Sequence, residues 1–210
     1  MKRGRFITFE GGEGTGQSTQ VRLLTQHLAK AGADVVQTRE PGGSPSAEEI
    51  RSLLVTGGAD RWSPLAETLL FYAARVEHWR QVIGPAIARG AHVICDRFAD
   101  STMAYQCYAG GLDKRIVEEL HRLTMNTAGP DLTIVLDMPV DEGLKRAAAR
   151  HNDETRFERK GREFHERLRT GFLEIARLAP ERCAVVDATR EIGAVHTVVL
   201  SVVSSRLGLG

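Results

Sequence analysis

The strongest constraint on this chain lies near its start. An apolar run, Phe6–Phe9, ends at Glu10 and breaks into Gly11-Gly12-Glu13-Gly14-Thr15-Gly16-Gln17-Ser18, after which a helical pattern begins at once. Glycines at such a junction let backbone N–H groups converge at a helix N-terminus, where the helix dipole also favours an anion. The spacing is that of G-x-x-x-x-G-K-[ST], a loop that cradles phosphates, and the strand–loop–helix context is the one that motif requires. Gln17 stands where the motif has lysine.

Four more short apolar runs follow: Val35–Val36, His92–Cys95, Leu132–Leu136 and Ala184–Val186. Segments of helical spacing separate them, which predicts a parallel sheet covered on both faces. Glu10, Asp96, Asp137 and Asp187 each close a strand run, and Glu40 follows Val35–Val36. In a parallel sheet these acids gather at the carboxyl edge, where open α/β sheets bind ligands. The helices are expected at Ser18–Ala31, Pro64–Arg89 (kinked or ended by Pro85), Lys114–Thr127, Pro139–Arg150, Arg162–Leu178 and Ile192–Leu207. In the second of these, Leu65, Leu69, Ala73, Val76 and Trp79 fall on one stripe. The predicted fold is therefore α/β: a five-stranded parallel sheet with helices on both faces. Residues 1–210 form a single domain, and the polar stretch at about 150–161 forms a short movable lid.

Composition narrows the setting. A net charge of +1 gives no global field toward nucleic acid or membrane. Cys95, Cys107 and Cys183 lack disulfide or zinc spacing, which fits a reducing compartment. No signal-peptide pattern or membrane-length apolar stretch is seen, so the expected location is cytoplasmic.

The candidate nucleotide site runs through Gly11, Gly12, Glu13, Gly14, Thr15, Gly16, Gln17, Ser18 and Thr19. Ser18 can offer its hydroxyl to Mg²⁺. Glu10 and Asp96 are the acids expected nearest the metal, because Mg²⁺ takes few carboxylates beside waters and phosphate oxygens. Gln17 can donate a hydrogen bond but cannot neutralise charge that moves during transfer. Three readings follow: an inactivated variant of a kinase, an enzyme whose arginines compensate, or a nucleotide binder with little catalysis.

The series Phe-Glu-Gly-Gly-Glu-Gly from Phe9, Thr38-Arg39-Glu40-Pro41-Gly42-Gly43, Asp96-Arg97-Phe98 and Ser101-x-x-x-Tyr105-Gln106 resembles the bacterial thymidylate kinases, in order and across essentially the whole chain. That family belongs to the P-loop nucleoside-monophosphate kinases, so the resemblance implies phosphoryl transfer from ATP to dTMP with Mg²⁺. It implies that Phe71 stacks on thymine and that Arg75, one turn later on the same helix face, donates to a thymine carbonyl. By the same resemblance Arg39 and Arg97 hold the monophosphate. Ser101 and Tyr105 read the base edge and crowd the sugar 2′ position, and Gln106 lies against the base. Thr155-Arg156-Phe157-Glu158 resembles the lid, with Arg156 the first choice for an arginine reaching the phosphates and Arg150 and Lys160 as second choices. Glu10, Arg97 and Arg156 are thus the expected catalytic residues, and Ser18 and Asp96 the expected metal ligands. The resemblance also implies a homodimer packed through helices. Two alternatives stand: a kinase for another small phosphate acceptor, and a catalytically impaired nucleotide-binding protein of the same fold.

Overall fold

The five apolar runs become five parallel strands: β1 Phe6–Gly11, β2 Val35–Arg39, β3 His92–Asp96, β4 Leu132–Asp137 and β5 Cys183–Asp187. They lie in the order β2-β3-β1-β4-β5. The computed structural model describes residues 3–58, 60–149, 156–158 and 160–209. β1 is buried along its whole length, as a central parallel strand covered on both faces must be. β2 and β5 are edge strands, partly exposed. The register sets the working edge: Arg39 lies beside Asp96, and Asp96 beside Phe9, so β2 and β3 end level and β1 runs two residues further, to Gly11.

Strand alternation divides the core. Ile7 and Phe9 of β1 pack against Val21, Leu24 and Leu28 of α1 (Gln17–Lys30) and Val199 and Val203 of the last helix. Phe6 packs on the other face with Val93, Cys95, Phe98, Ile83 and Ile87. Thr8 shares that second face, and its hydroxyl pairs with Thr133 at 2.9 Å.

Two helices were not anticipated. α2 (Pro45–Val55) follows Ser44 and places Pro45 at its first position. α5 (Ala99–Thr102) continues into a π-helical stretch, Met103–Ala109. α3 (Pro64–His78) begins as expected, and the apolar stripe that runs on to Trp79 is divided: Val76 and Trp79 pack against the core, and Leu65 and Leu69 turn outward. Leu65 and Leu69 are 44% and 49% exposed, whereas Glu67, Tyr72, Arg75 and His78 are buried. Pro85 does not end this helical segment. One wider π-turn, Trp79–Ile83, leads into α4 (Gly84–Ala88), and the Gly84 N–H reaches the Trp79 carbonyl five residues back. A proline has no N–H to continue the α-ladder, and a wider turn is one way to absorb that.

α6 (Lys114–Thr124), α7 (Val140–Ala148), α8 (Arg162–Leu178) and α9 (Ile192–Leu207) follow the expected order. The cysteines are free and buried. Among the described residues, no helix is long and apolar enough to cross a membrane.

Candidate active site

The phosphate loop holds itself in shape. Gly14 has φ 75°, and a Cβ there would sit 1.9 Å from the Gly143 carbonyl oxygen of α7, so loop and helix touch backbone to backbone. Gln17 is buried, and its carboxamide is used inside the loop. Its Nε2 donates to the Gly11 carbonyl at 3.0 Å, and its Oε1 accepts from the Thr15 hydroxyl at 2.9 Å. That hydroxyl also reaches the Gly12 carbonyl at 3.0 Å, sharing its single proton between two acceptors. Ser18 and Thr19 form the first turn of α1. Ser18 lies near the Asp96 carboxyl, whose pKa is raised by burial against the opposing pull of Arg97, Ser18 and Arg51.

An open cavity of about 190 Å³ adjoins this loop. Glu13, Gly14, Gln17, Ser18 and Asp96 line one end, and Phe71, Arg75 and Gln106 also line it. Arg39, Arg97, Ser101 and Tyr105 line it as well, so most of the expected substrate contacts do converge.

Arg97 adopts φ 68°, a left-handed conformation rare for a long side chain. The twist lets its Nη1 donate to the Gly11 carbonyl at 2.8 Å and to Ser101 Oγ at 3.2 Å. Its guanidinium lies 5.3 Å from the centre of the Tyr105 ring, and Tyr105 donates to Glu13 at 2.5 Å. Arg39 leans on Glu48 at 3.1 Å, half-exposed at the rim.

Four of the expected residues take other partners in this structure. Glu10 does not line the cavity. As the third residue on the face of Phe6 and Thr8, it points under α5, where it accepts from the Phe98 N–H at 2.7 Å and the Ser101 hydroxyl at 2.5 Å. Burial pushes its pKa up to about 8, and Asp100 adds to the rise. Ser101, for its part, spends its proton on Glu10 rather than on a base edge. Arg156 does not reach toward the phosphate loop. It is buried, bonded to Glu67 and to the carbonyls of Gly58 at 3.0 Å and Leu54 at 3.1 Å, and so pins the turn at 156–158 to the α2–α3 corner. Lys160 pairs with Asp60 at 3.1 Å. Arg150 and Thr155 lie outside the described residues.

At the far end, Glu40 is a buried acid shared by Arg75 Nε at 2.8 Å and His78 Nδ1 at 3.1 Å. Arg75 also donates from Nη2 to Thr102 at 2.9 Å. Its Nη1 is buried without a hydrogen-bond partner among the described residues. Gln106 donates from Nε2 to Glu67 at 2.7 Å, while its Oε1 is likewise buried and unpartnered. A donor and an acceptor, both desolvated and unmatched, thus remain at one cavity. Leaving such groups unpaired is costly unless a ligand completes them.

Sequence reasoning missed Arg51, which lines the cavity from α2 and donates to the Pro41 carbonyl at 2.6 Å. The Ser44-Pro45 start signal would have located its helix. It also missed Phe157, which lines the cavity from the turn at 156–158, its ring 5.4 Å from Tyr105 and 6.3 Å from Phe71. Asp137 accepts from Arg169 Nε at 2.7 Å and Nη2 at 2.9 Å, and Asp187 accepts from the Thr189 N–H at 3.0 Å, so both strand-end acids are engaged by side chains or backbone of the fold. Among the described residues no group of three or more His, Cys, Asp or Glu is placed to hold a metal without a ligand's help.

Comparison with known proteins agrees with this geometry. The thymidylate kinase family model matches residues 9–199. The thymidylate kinase of Caulobacter vibrioides is 56% identical over 209 residues, covering 100% of both chains. That of Dinoroseobacter shibae is 52% identical, over 89% of this chain and 90% of the relative. The crystal structure of thymidylate kinase from Ehrlichia chaffeensis superposes with a TM-score of 0.80 at 36% identity, over 96% of this chain and 99% of that one.

Proposed function

The chain belongs to the thymidylate kinase family, and on that premise we propose how its residues share the transfer of the ATP γ-phosphoryl group to dTMP, which gives dTDP and ADP. This chemistry needs positioning and charge stabilisation rather than a protein nucleophile. The phosphate loop binds ATP through its backbone. Arg97 and Arg39 hold the acceptor phosphate, with Arg51 beside them. Ser18 and Asp96 line the same cavity and offer a hydroxyl and a single carboxylate, a donor set that fits Mg²⁺, which would fill its shell with phosphate oxygens and water. When bound, the ion would draw charge from the phosphates. Tyr105, fixed by Glu13, borders the sugar, and Phe71 and Phe157 flank the base.

One observation carries the substrate assignment: the unpartnered Arg75 Nη1 and Gln106 Oε1. Thymine offers an acceptor at O4 and a donor at N3, the complement of that pair. Cytosine offers a donor at N4 and an acceptor at N3, and mismatches both. A site built on buried polar groups rejects such a mismatch by far more than an apolar pocket could. The test is ATP- and Mg²⁺-dependent phosphorylation of dTMP beside dCMP. A strong preference for dTMP is expected, lost in Arg75→Met. Equal turnover of dCMP would sink the assignment.

The outward stripe of α3, with Leu65 and Leu69 exposed, and Leu123 of α6 at 65% exposure suit a helix-packed homodimer. The buried free thiols suit a reducing cytoplasm.

A further inference from the structure

Glu67 is a buried acid to which nothing above assigns a role in substrate choice. Its two oxygens are divided: Oε2 accepts from Gln106 Nε2 at 2.7 Å, and Oε1 accepts from Arg156 Nη1 of the lid turn. We propose that Glu67 is a positioning residue that fixes which end of the Gln106 carboxamide meets the base, and that the lid arginine holds Glu67 in place to do so. The inference rests on the reading of Gln106 as a base contact.

A glutamine alone is ambivalent. Rotated by half a turn, the same side chain would present NH₂ to a base nitrogen that accepts, and would then suit cytosine. A carboxylate only accepts, so with Glu67 behind it the amide must turn its NH₂ backward and its oxygen outward. The oxygen is the atom left without a partner. Glu67 can play this part only while charged, and a buried carboxylate keeps its charge when it is paired and hydrogen-bonded. Arg156 provides that pairing, and is itself anchored by the Gly58 and Leu54 carbonyls. Phe157, the next residue, lines the cavity. Lid placement and base reading therefore meet at a single carboxylate.

The experiment compares the dTMP:dCMP ratio of kcat/KM in the wild type, Glu67→Gln and Gln106→Leu, with a thermal midpoint for each. The carboxamide that Glu67→Gln introduces could donate or accept, so Gln106 would be released to turn over. The ratio is expected to fall at least about tenfold in Glu67→Gln, through a gain on dCMP as well as a loss on dTMP. A general loosening of the fold would lower both substrates together and leave the ratio alone. If Gln106→Leu lowers the ratio but folded Glu67→Gln keeps it, the base contact stands and the role of Glu67 is refuted. If Gln106→Leu leaves the ratio unchanged, the base contact fails and this inference with it. Should Glu67→Gln not fold, Arg156→Met decides: a fall of at least about threefold in the same ratio supports the arrangement, and an unchanged ratio overturns it.

Discussion

Replacing Gln17 by lysine sets two effects of opposite sign against each other. The substitution removes the amide that clasps the loop, and with it the hydrogen bonds to the Gly11 carbonyl at 3.0 Å and from the Thr15 hydroxyl at 2.9 Å. Each is worth about 1 kcal/mol net. Neither partner is stranded, because Arg97 still serves the Gly11 carbonyl and the Gly12 carbonyl still receives Thr15. The expected cost is thus about 1–2 kcal/mol of stability, visible as a fall in thermal midpoint. The gain is a mobile ammonium beside the phosphates. A donor aimed at charge developing in the transition state is typically worth about a hundred- to a thousandfold in rate. Steady-state kinetics on the two proteins, with ATP varied at saturating dTMP, should therefore show kcat rising by roughly that factor in Gln17→Lys. Gln17→Met separates the parts, since it removes the clasp and adds no charge: it should share the lowered midpoint and gain nothing in kcat. If lysine leaves kcat unchanged, the cavity arginines already supply the charge and position 17 does not limit transfer. If methionine leaves both midpoint and KM for ATP unchanged, the clasp contributes nothing.

Three further outcomes are expected. Glu10 titrates near 4.5 when unfolded and about 8 when folded, so the folded chain holds a proton that the unfolded chain has released. Its contribution to stability is full below the first value and is lost as pH rises through the second, by about 1.4 kcal/mol per pH unit at most; Glu10→Gln should flatten the pH dependence of the midpoint across that window, and an unchanged slope would contradict the buried, proton-holding acid. Gly143→Ala ought to gain about 1 kcal/mol in helix propensity, yet its Cβ would lie 2.4 Å from the Glu13 carbonyl oxygen. Displacing the phosphate loop should lower kcat/KM for ATP about tenfold, and a more stable, fully active variant would show that α7 does not buttress the loop. Leu69→Glu places a charge on the outward stripe of α3 and should shift sedimentation toward the monomer; an undisturbed dimer would move the interface elsewhere.

How far the sequence reached depends on what kind of signal each residue left. The strands were legible because each holds a short apolar run, four of them closed directly by an acid. The phosphate loop was legible because its glycines sit at fixed spacing between a strand and a helix. α3 was legible only in part: Val76 and Trp79 of its apolar stripe pack on the core while Leu65 and Leu69 face out, and the inward face also carries Glu67, Arg75 and His78, whose partners lie far along the chain. A helical period tells which residues share a face, but not which face turns inward. Arg156 misled in the same way, because its partner Glu67 lies 89 residues away and nothing local announces the pairing. Glu10 was within reach. Alternation from Phe6 places it on the face beneath the helix that follows β3, away from the open edge.

The Gly11 carbonyl oxygen is held from two directions, at 3.0 Å by Gln17 and at 2.8 Å by Arg97. One backbone atom therefore ties the first turn of α1 to the arginine that follows β3, 86 residues from Gly11 in sequence. Neither side chain can move without letting go of that oxygen, so a change at either position is passed to the other through a single shared acceptor.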